Sequence, residues 1–163
     1  MTISITNRPA PAWLRELAHG RDTYEELLGW PVSVQVGTRV LIVATGQVLD
    51  AVTMPAPLGA HVHAELTIAM LSGPVFADPD GRRWTFLTKP LDRIRPTIAA
   101  DLSHVRVDVA PHGAHLPIPT GPDTVSGQLW RWIEPPSPAR GLPPAYAVIG
   151  VTRRLTAQQH LAA

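Results

Sequence analysis

Two aspartates stand inside apolar, strand-like runs, Leu49-Asp50-Ala51-Val52 and Val107-Asp108-Val109. Aspartate disfavours strands, so each position calls for a reason. One reason is catalytic. Two-metal nucleotidyl transfer needs acidic side chains that converge on one point and hold paired divalent cations about 4 Å apart. The other reason is structural: a strand end or a hydrogen-bonded edge. Both readings stand at this level.

Histidines form the second set. His61, His63 and Glu65 fall close together, and the i, i+4 spacing of His61 and Glu65 places them on one helical face. His63 points elsewhere, so this segment offers no three-ligand site, and a solvated helix face is the simpler reading. His112 and His115 flank Gly113 in Pro111-His112-Gly113-Ala114-His115, with Asp108 close by. A metal or phosphate role is one reading, and an ordinary turn with exposed histidines is the simpler one.

Arginines alternate with aromatics in Gly81-Arg82-Arg83-Trp84-Thr85-Phe86 and in Trp130-Arg131-Trp132. Strand alternation puts Trp84 and Phe86 on one face and Arg83 and Thr85 on the other; Trp130 and Trp132 likewise face away from Arg131. Arginine on an open sheet face suits phosphate, and aromatics suit base stacking. The competing reading makes the aromatics core and the arginines solvated; it is preferred for the aromatics and left open for Arg83 and Arg131. There is no Gly-x-Ser-x-Gly elbow, no phosphate-binding P-loop and no Gly-x-Gly-x-x-Gly. With no cysteine anywhere, thiolate metal sites, disulfides and Cys nucleophiles are excluded.

The elements that must position these residues read as short and mixed. Residues 12–28 carry a helical stripe (Trp13, Leu14, Leu17, Tyr24, Leu27, Leu28) that Gly20 is expected to split in two. Strands are expected at 32–36, 39–44, 47–54, 75–77, 82–88, 104–109, 128–133 and 147–151. Helices are expected at 57–71, where Leu58, Val62 and Leu66 recur every four residues, and at 92–102. Asp78-Pro79-Asp80-Gly81 is a turn between two strands. Pro135 to Pro144 reads as polyproline-like extension. Residues 1–11 read as a tail, 12–152 as one domain, and 153–163 as a terminal helix or tail. The fold class expected is α+β: a compact mixed sheet of short strands with packed helices.

Composition bounds the rest. The 163 residues include 18 prolines and 12 glycines, well above the roughly 12% usual for the pair, which excludes a simple helical bundle. Net charge is +1, with Lys89 the only lysine, so a strongly basic nucleic-acid packager is not expected. No apolar run approaches the roughly 20 residues of a membrane span, and the N-terminus lacks a basic start and apolar core, so a cytoplasmic chain without a membrane partner is expected.

Three stretches together resemble the bifunctional DNA primase/polymerase N-terminal family of the archaeo-eukaryotic primase superfamily, as a short stand-alone member of actinobacterial type. Thr45-Gly46-Gln47-Val48-Leu49-Asp50-Ala51-Val52 is similar to the family's strand ending in Asp-x-Asp/Glu. Gly81-Arg82-Arg83-Trp84-Thr85-Phe86 is similar to its Gly-x-His-x-x-Phe strand. Val107-Asp108-Val109, followed by His112 to Pro119, is similar to its third-acid strand and Gly-rich hairpin. The resemblance implies an RRM-related core, with Asp50 and Asp108 as catalytic metal ligands. It also implies Arg83, His115 and Arg131 as nucleotide or nucleic-acid contacts. Departures accompany the matches. Val52 stands where a second ligand belongs, and Arg83 stands in place of the nucleotide-binding histidine. A valine ligates nothing, and a site short of charge holds divalent cations poorly. The expectation is therefore a primase/polymerase-like domain with degenerate catalysis that binds nucleotide or nucleic acid, with Mg or Mn only if catalysis is retained. The alternatives are a protein-interaction module using 134–145, an active polymerase with an altered metal site, and an unrelated enzyme site built on His112 or His115.

Overall fold

The computed structural model describes residues 8–124 and 129–163. Most of the expected tail and the start of the strand expected at Gln128 lie outside them. Among the described residues, four helices are interspersed with eight strands. They are α1 (Ala12–Leu28), β1 (Val32–Gln35), β2 (Val40–Ala44), β3 (Asp50–Pro55), α2 (Ala56–Ile68), β4 (Val75–Ala77), β5 (Arg83–Thr88), α3 (Pro96–His104), β6 (Asp108–Val109), β7 (His115–Ile118), β8 (Arg131–Glu134) and α4 (Ala145–Ala162).

The strands form two antiparallel sheets, one of order β6-β3-β5-β4-β8 and one of order β1-β2-β7. The fold is thus α+β. Side-chain alternation on the larger sheet builds two cores. Val52, Val75, Phe86 and Val109 stand in register and meet the helices through Leu58, Val62 and Leu66 of α2, Leu102 of α3, and Val148 and Ile149 of α4. The opposite face carries Ala51, Phe76, Leu87 and Trp132. These pack against Leu41 and Val43 of β2, Ile118 of β7, and Leu17 and Tyr24 of α1. Tyr24, Trp30 and Trp132 form an aromatic cluster with ring centroids 5.6–6.4 Å apart.

Proline begins the helices. Pro11, Pro55 and Pro144 occupy the positions just before α1, α2 and α4, and Pro96 opens α3. None of these starts has a side-chain cap or an acidic residue in its first turn. The fixed φ of proline sets the entry instead.

Several expected elements are corrected. Residues 12–28 form one helix, not two. Gly20 lies buried inside it, and a Cβ there would sit 1.8 Å from the Thr120 carbonyl oxygen, so the glycine serves close approach and not a break. The strand expected at 147–151 is helical. Ala145, Val148, Ile149 and Thr152 are buried at helical spacing after Pro144, and α4 runs unbroken through the boundary expected at 152/153. Only Asp108–Val109 of the strand expected at 104–109 pairs, because α3 extends to His104. The proline-rich 135–144 stretch is non-helical, as expected, but turns at Pro138–Arg140. Among the described residues, no helix is long and apolar enough to cross a membrane.

Candidate functional site

The five residues singled out by sequence do not meet at one point. Asp108 pairs directly with Thr53, so the two side chains share a face of the larger sheet. Thr53 pairs with Thr85, and Arg83 stands opposite Pro55, which adds both to that face. Asp50 lies three residues before Thr53 and projects from the other face, beside Val52 and Met54. The expected pairing of Asp50 with Asp108 around a metal is therefore not assembled. Among the described residues, no three His, Asp or Glu side chains gather as a metal-holding group.

Arg83 and Asp108 do come together. Arg83 Nη2 donates to Asp108 Oδ2 at 2.9 Å, to the Arg106 carbonyl at 3.0 Å and to the Thr53 carbonyl at 3.4 Å. Thr53 and Thr85 bond through their hydroxyls at 2.9 Å. Arg106 turns the chain with φ +60, which brings its carbonyl toward the guanidinium. The result is a polar strip at the β6 edge with one carboxylate and one guanidinium. The carboxylate is largely exposed and the guanidinium a third exposed. An ion pair this open contributes little to stability and can be exchanged for another partner.

His115 and Arg131 lie elsewhere. His115 pairs with Ala44 in the smaller sheet, where its neighbours Leu116 and Ile118 point into the core and His115 points out. Arg131 stands on β8, opposite Ala77, at the far edge of the larger sheet from β6. Four strand spacings separate the two edges, about 19 Å. The guanidinium of Arg131 sits over Gly81 instead. The structure thus groups Arg83 with Asp108 and leaves Asp50, His115 and Arg131 apart from them.

Asp50 has a different partner. Its side chain is 2% exposed, and Oδ2 accepts the Leu91 N–H at 2.6 Å. His112 Nε2 lies 3.2 Å from that same oxygen and 2.8 Å from the Leu91 carbonyl. Sequence flagged Asp50 and His112 separately. Nothing in their 62-residue separation pairs them; β3 and the turn before β7 do so by folding onto the Leu91 segment.

His63 is structural, and His61 is exposed on α2. His63 pairs with Glu134 at 2.8 Å, and Glu134 also accepts from Ser72 and Arg140, each at 3.1 Å. Glu134 is the hub that sequence missed. It ties α2, β8 and the proline-rich turn together with both oxygens satisfied. Glu65 pairs with Arg154 of α4 at 2.9 Å, so it does not join His61 in a site. Trp132 is core, as preferred from sequence, with its indole N–H donating to the Gly121 carbonyl and the Tyr24 hydroxyl. No protein-family model matches the chain, and no curated protein or solved structure matches it.

Proposed function

We propose that the chain is a primase/polymerase-like domain that has lost metal-dependent nucleotidyl transfer and holds a nucleotide or nucleic-acid phosphate at Arg83. The observation that supports this reading is the content of the sheet face at the β6 edge: Thr53, Thr85, Arg83 and a single carboxylate, Asp108. Two cations about 4 Å apart need more negative charge than one carboxylate already paired to an arginine. The same strip suits an anion. A phosphate can displace Asp108 from the exposed pair and take the guanidinium in bidentate fashion, while the Arg106 and Thr53 carbonyls keep the fork aimed. Arg82, almost fully exposed on the same hairpin, adds a second cation nearby.

The test is twofold. Primer extension with Mg or Mn is expected to give no product. Fluorescently labelled single-stranded DNA and a nucleoside triphosphate are expected to bind, with affinity falling as salt rises because phosphate contacts release counterions. Arg83→Ala is expected to weaken binding about tenfold or more, as loss of a charge-assisted contact does. Metal-dependent extension, or binding indifferent to Arg83 and to salt, overturns the reading.

A second reading rests on an apolar cleft of about 280 Å³ between the end of α1 and the proline-rich turn. Half-exposed Leu27 and Val48 face Pro136 and Pro138 there. It supports a protein-interaction role, for which binding indifferent to salt is the expected signature.

A further inference from the structure

The reading above leaves the Asp50–His112 pair without a role, although Leu91 binds both of its members. His112 Nε2 faces two groups, the Leu91 carbonyl at 2.8 Å and Asp50 Oδ2 at 3.2 Å. A carbonyl and a carboxylate only accept hydrogen bonds, so Nε2 carries the proton of the neutral ring. The basic lone pair is left on Nδ1. Among the described residues nothing bonds to Nδ1, and the ring is about half exposed.

The root of the ring is fixed as firmly as its far nitrogen. Thr45 holds the turn: its hydroxyl donates to the Pro111 carbonyl at 2.7 Å, its N–H to Ala114 at 3.0 Å, and its carbonyl accepts from Gly113 at 2.9 Å. Gly46, at φ +111, closes over His112 so tightly that a Cβ there would lie 3.0 Å from the histidine Cβ. Asp50 Oδ1 is buried with no hydrogen-bond partner. An unpaired buried carboxylate oxygen is costly, and such groups persist where a function uses them. His112 and Asp50 both line a cleft of about 300 Å³, together with Leu91, Ile94, Ala99 and Val109 and the exposed Asp92 and Arg93.

We propose that His112 is a general base, positioned by Asp50, for the attack of water on a small apolar ester held in this cleft. Nδ1 takes a proton from water as the water oxygen bonds to the ester carbonyl carbon. The carbon–oxygen bond to the alcohol then breaks, and the proton passes from Nδ1 to the departing alkoxide. The Leu91 carbonyl holds the Nε2–H tautomer, and Asp50, 3.2 Å from Nε2, stabilises the positive ring of the transition state without taking the proton itself, so it is a positioning residue. Apolar walls of this size suit a short acyl chain better than a charged or polymeric substrate.

The test uses the full chain and p-nitrophenyl acetate, with free imidazole at equal concentration as the baseline. The protein is expected to exceed that baseline by about 10²-fold, the usual contribution of a placed base. His112→Ala is expected to return it to the baseline; the residue is on an exposed turn, so the fold survives. A rate at the baseline, or one unchanged by His112→Ala, overturns the proposal. A normal solvent deuterium isotope effect is expected, and its absence means that no proton moves in the slow step and overturns the general base. Nitrogen NMR of the His112 ring is expected to show the Nε2–H tautomer. The Nδ1–H tautomer overturns the assignment, whether or not Asp50→Asn folds. Where Asp50→Asn does fold, a lowered rate and a displaced pH profile are expected, because the neutral amide no longer stabilises the positive ring, while the Nε2–H tautomer persists through the Leu91 carbonyl. Arg83 lies on the other face of the sheet, so this result and the phosphate-binding result fail or succeed separately.

Discussion

A residue in this chain does what its face of the sheet allows. Asp50 and Asp108 look alike in sequence, each a lone acid among apolar neighbours, and the fold gives them opposite faces and different partners. The sequence signalled that each needed a reason. It did not carry the parity of the β3–β6 register, where a one-residue slip would have put Asp50 on the face of Asp108. Arg83 and Asp108 were legible as candidates, and their pairing depends on strand order together with that register. Tyr24 shows how single groups tune stability. Its hydroxyl is buried, donates to the Pro119 carbonyl at 2.8 Å and accepts from Trp132, and burial pushes its ionisation far above the ordinary tyrosine value. A pKa raised in the folded state adds stability below the unfolded value of about 10, and that contribution is lost as pH climbs above it, because the unfolded chain releases a proton that the folded chain keeps. Chemical denaturation from about pH 8 to about pH 11 is expected to show a fall at the alkaline end that Tyr24→Phe lacks. At neutral pH the same variant is expected to lose about 1–2 kcal/mol, since the Pro119 carbonyl is left unpaired.

At the scale of elements, the strands from β1 to β5 and the helix α2 were readable, and α4 was not. Leu58, Val62 and Leu66 announced α2. The apolar run 147–151 reads as a strand, whereas Pro144 followed by buried positions at helical spacing makes it part of α4. Two glycines in helices make opposite predictions from the same residue type. Gly20→Ala drives a methyl group onto the Thr120 carbonyl, and backbone cannot swing away as a side chain can. A loss of about 1–3 kcal/mol or more is expected, seen as a lowered melting temperature. Gly150 is an exposed position of α4 with open space around its would-be Cβ. Gly150→Ala is expected to raise stability by about 0.5–1 kcal/mol through helix propensity and a less free unfolded chain. A loss at Gly150 or neutrality at Gly20 would contradict the geometry.

Across the whole molecule, the larger sheet is a shared wall between two apolar cores. Alternation in the strand sequences foretold two faces, whereas the partition of the β1-β2-β7 sheet and α1 to one side depends on crossovers that no local pattern encodes. Leu41→Ala in one core and Leu66→Ala in the other are each expected to cost about 2–5 kcal/mol. Both are expected to lower one and the same unfolding transition, followed by circular dichroism and by tryptophan fluorescence, because neither core keeps its wall without the other; separate transitions for the two probes would show independent units. The proline-led helix starts carry a last consequence. A helix begun by a serine, threonine or aspartate cap can be undone by protonating, modifying or screening that cap. Pro11, Pro55, Pro96 and Pro144 offer no such handle, since a ring that fixes φ has neither charge nor hydroxyl to alter. Signals that work by changing charge therefore find no purchase at these four helix entries. They must act on the exposed polar groups of the sheet edges and turns, where Arg83, Asp108 and His112 stand.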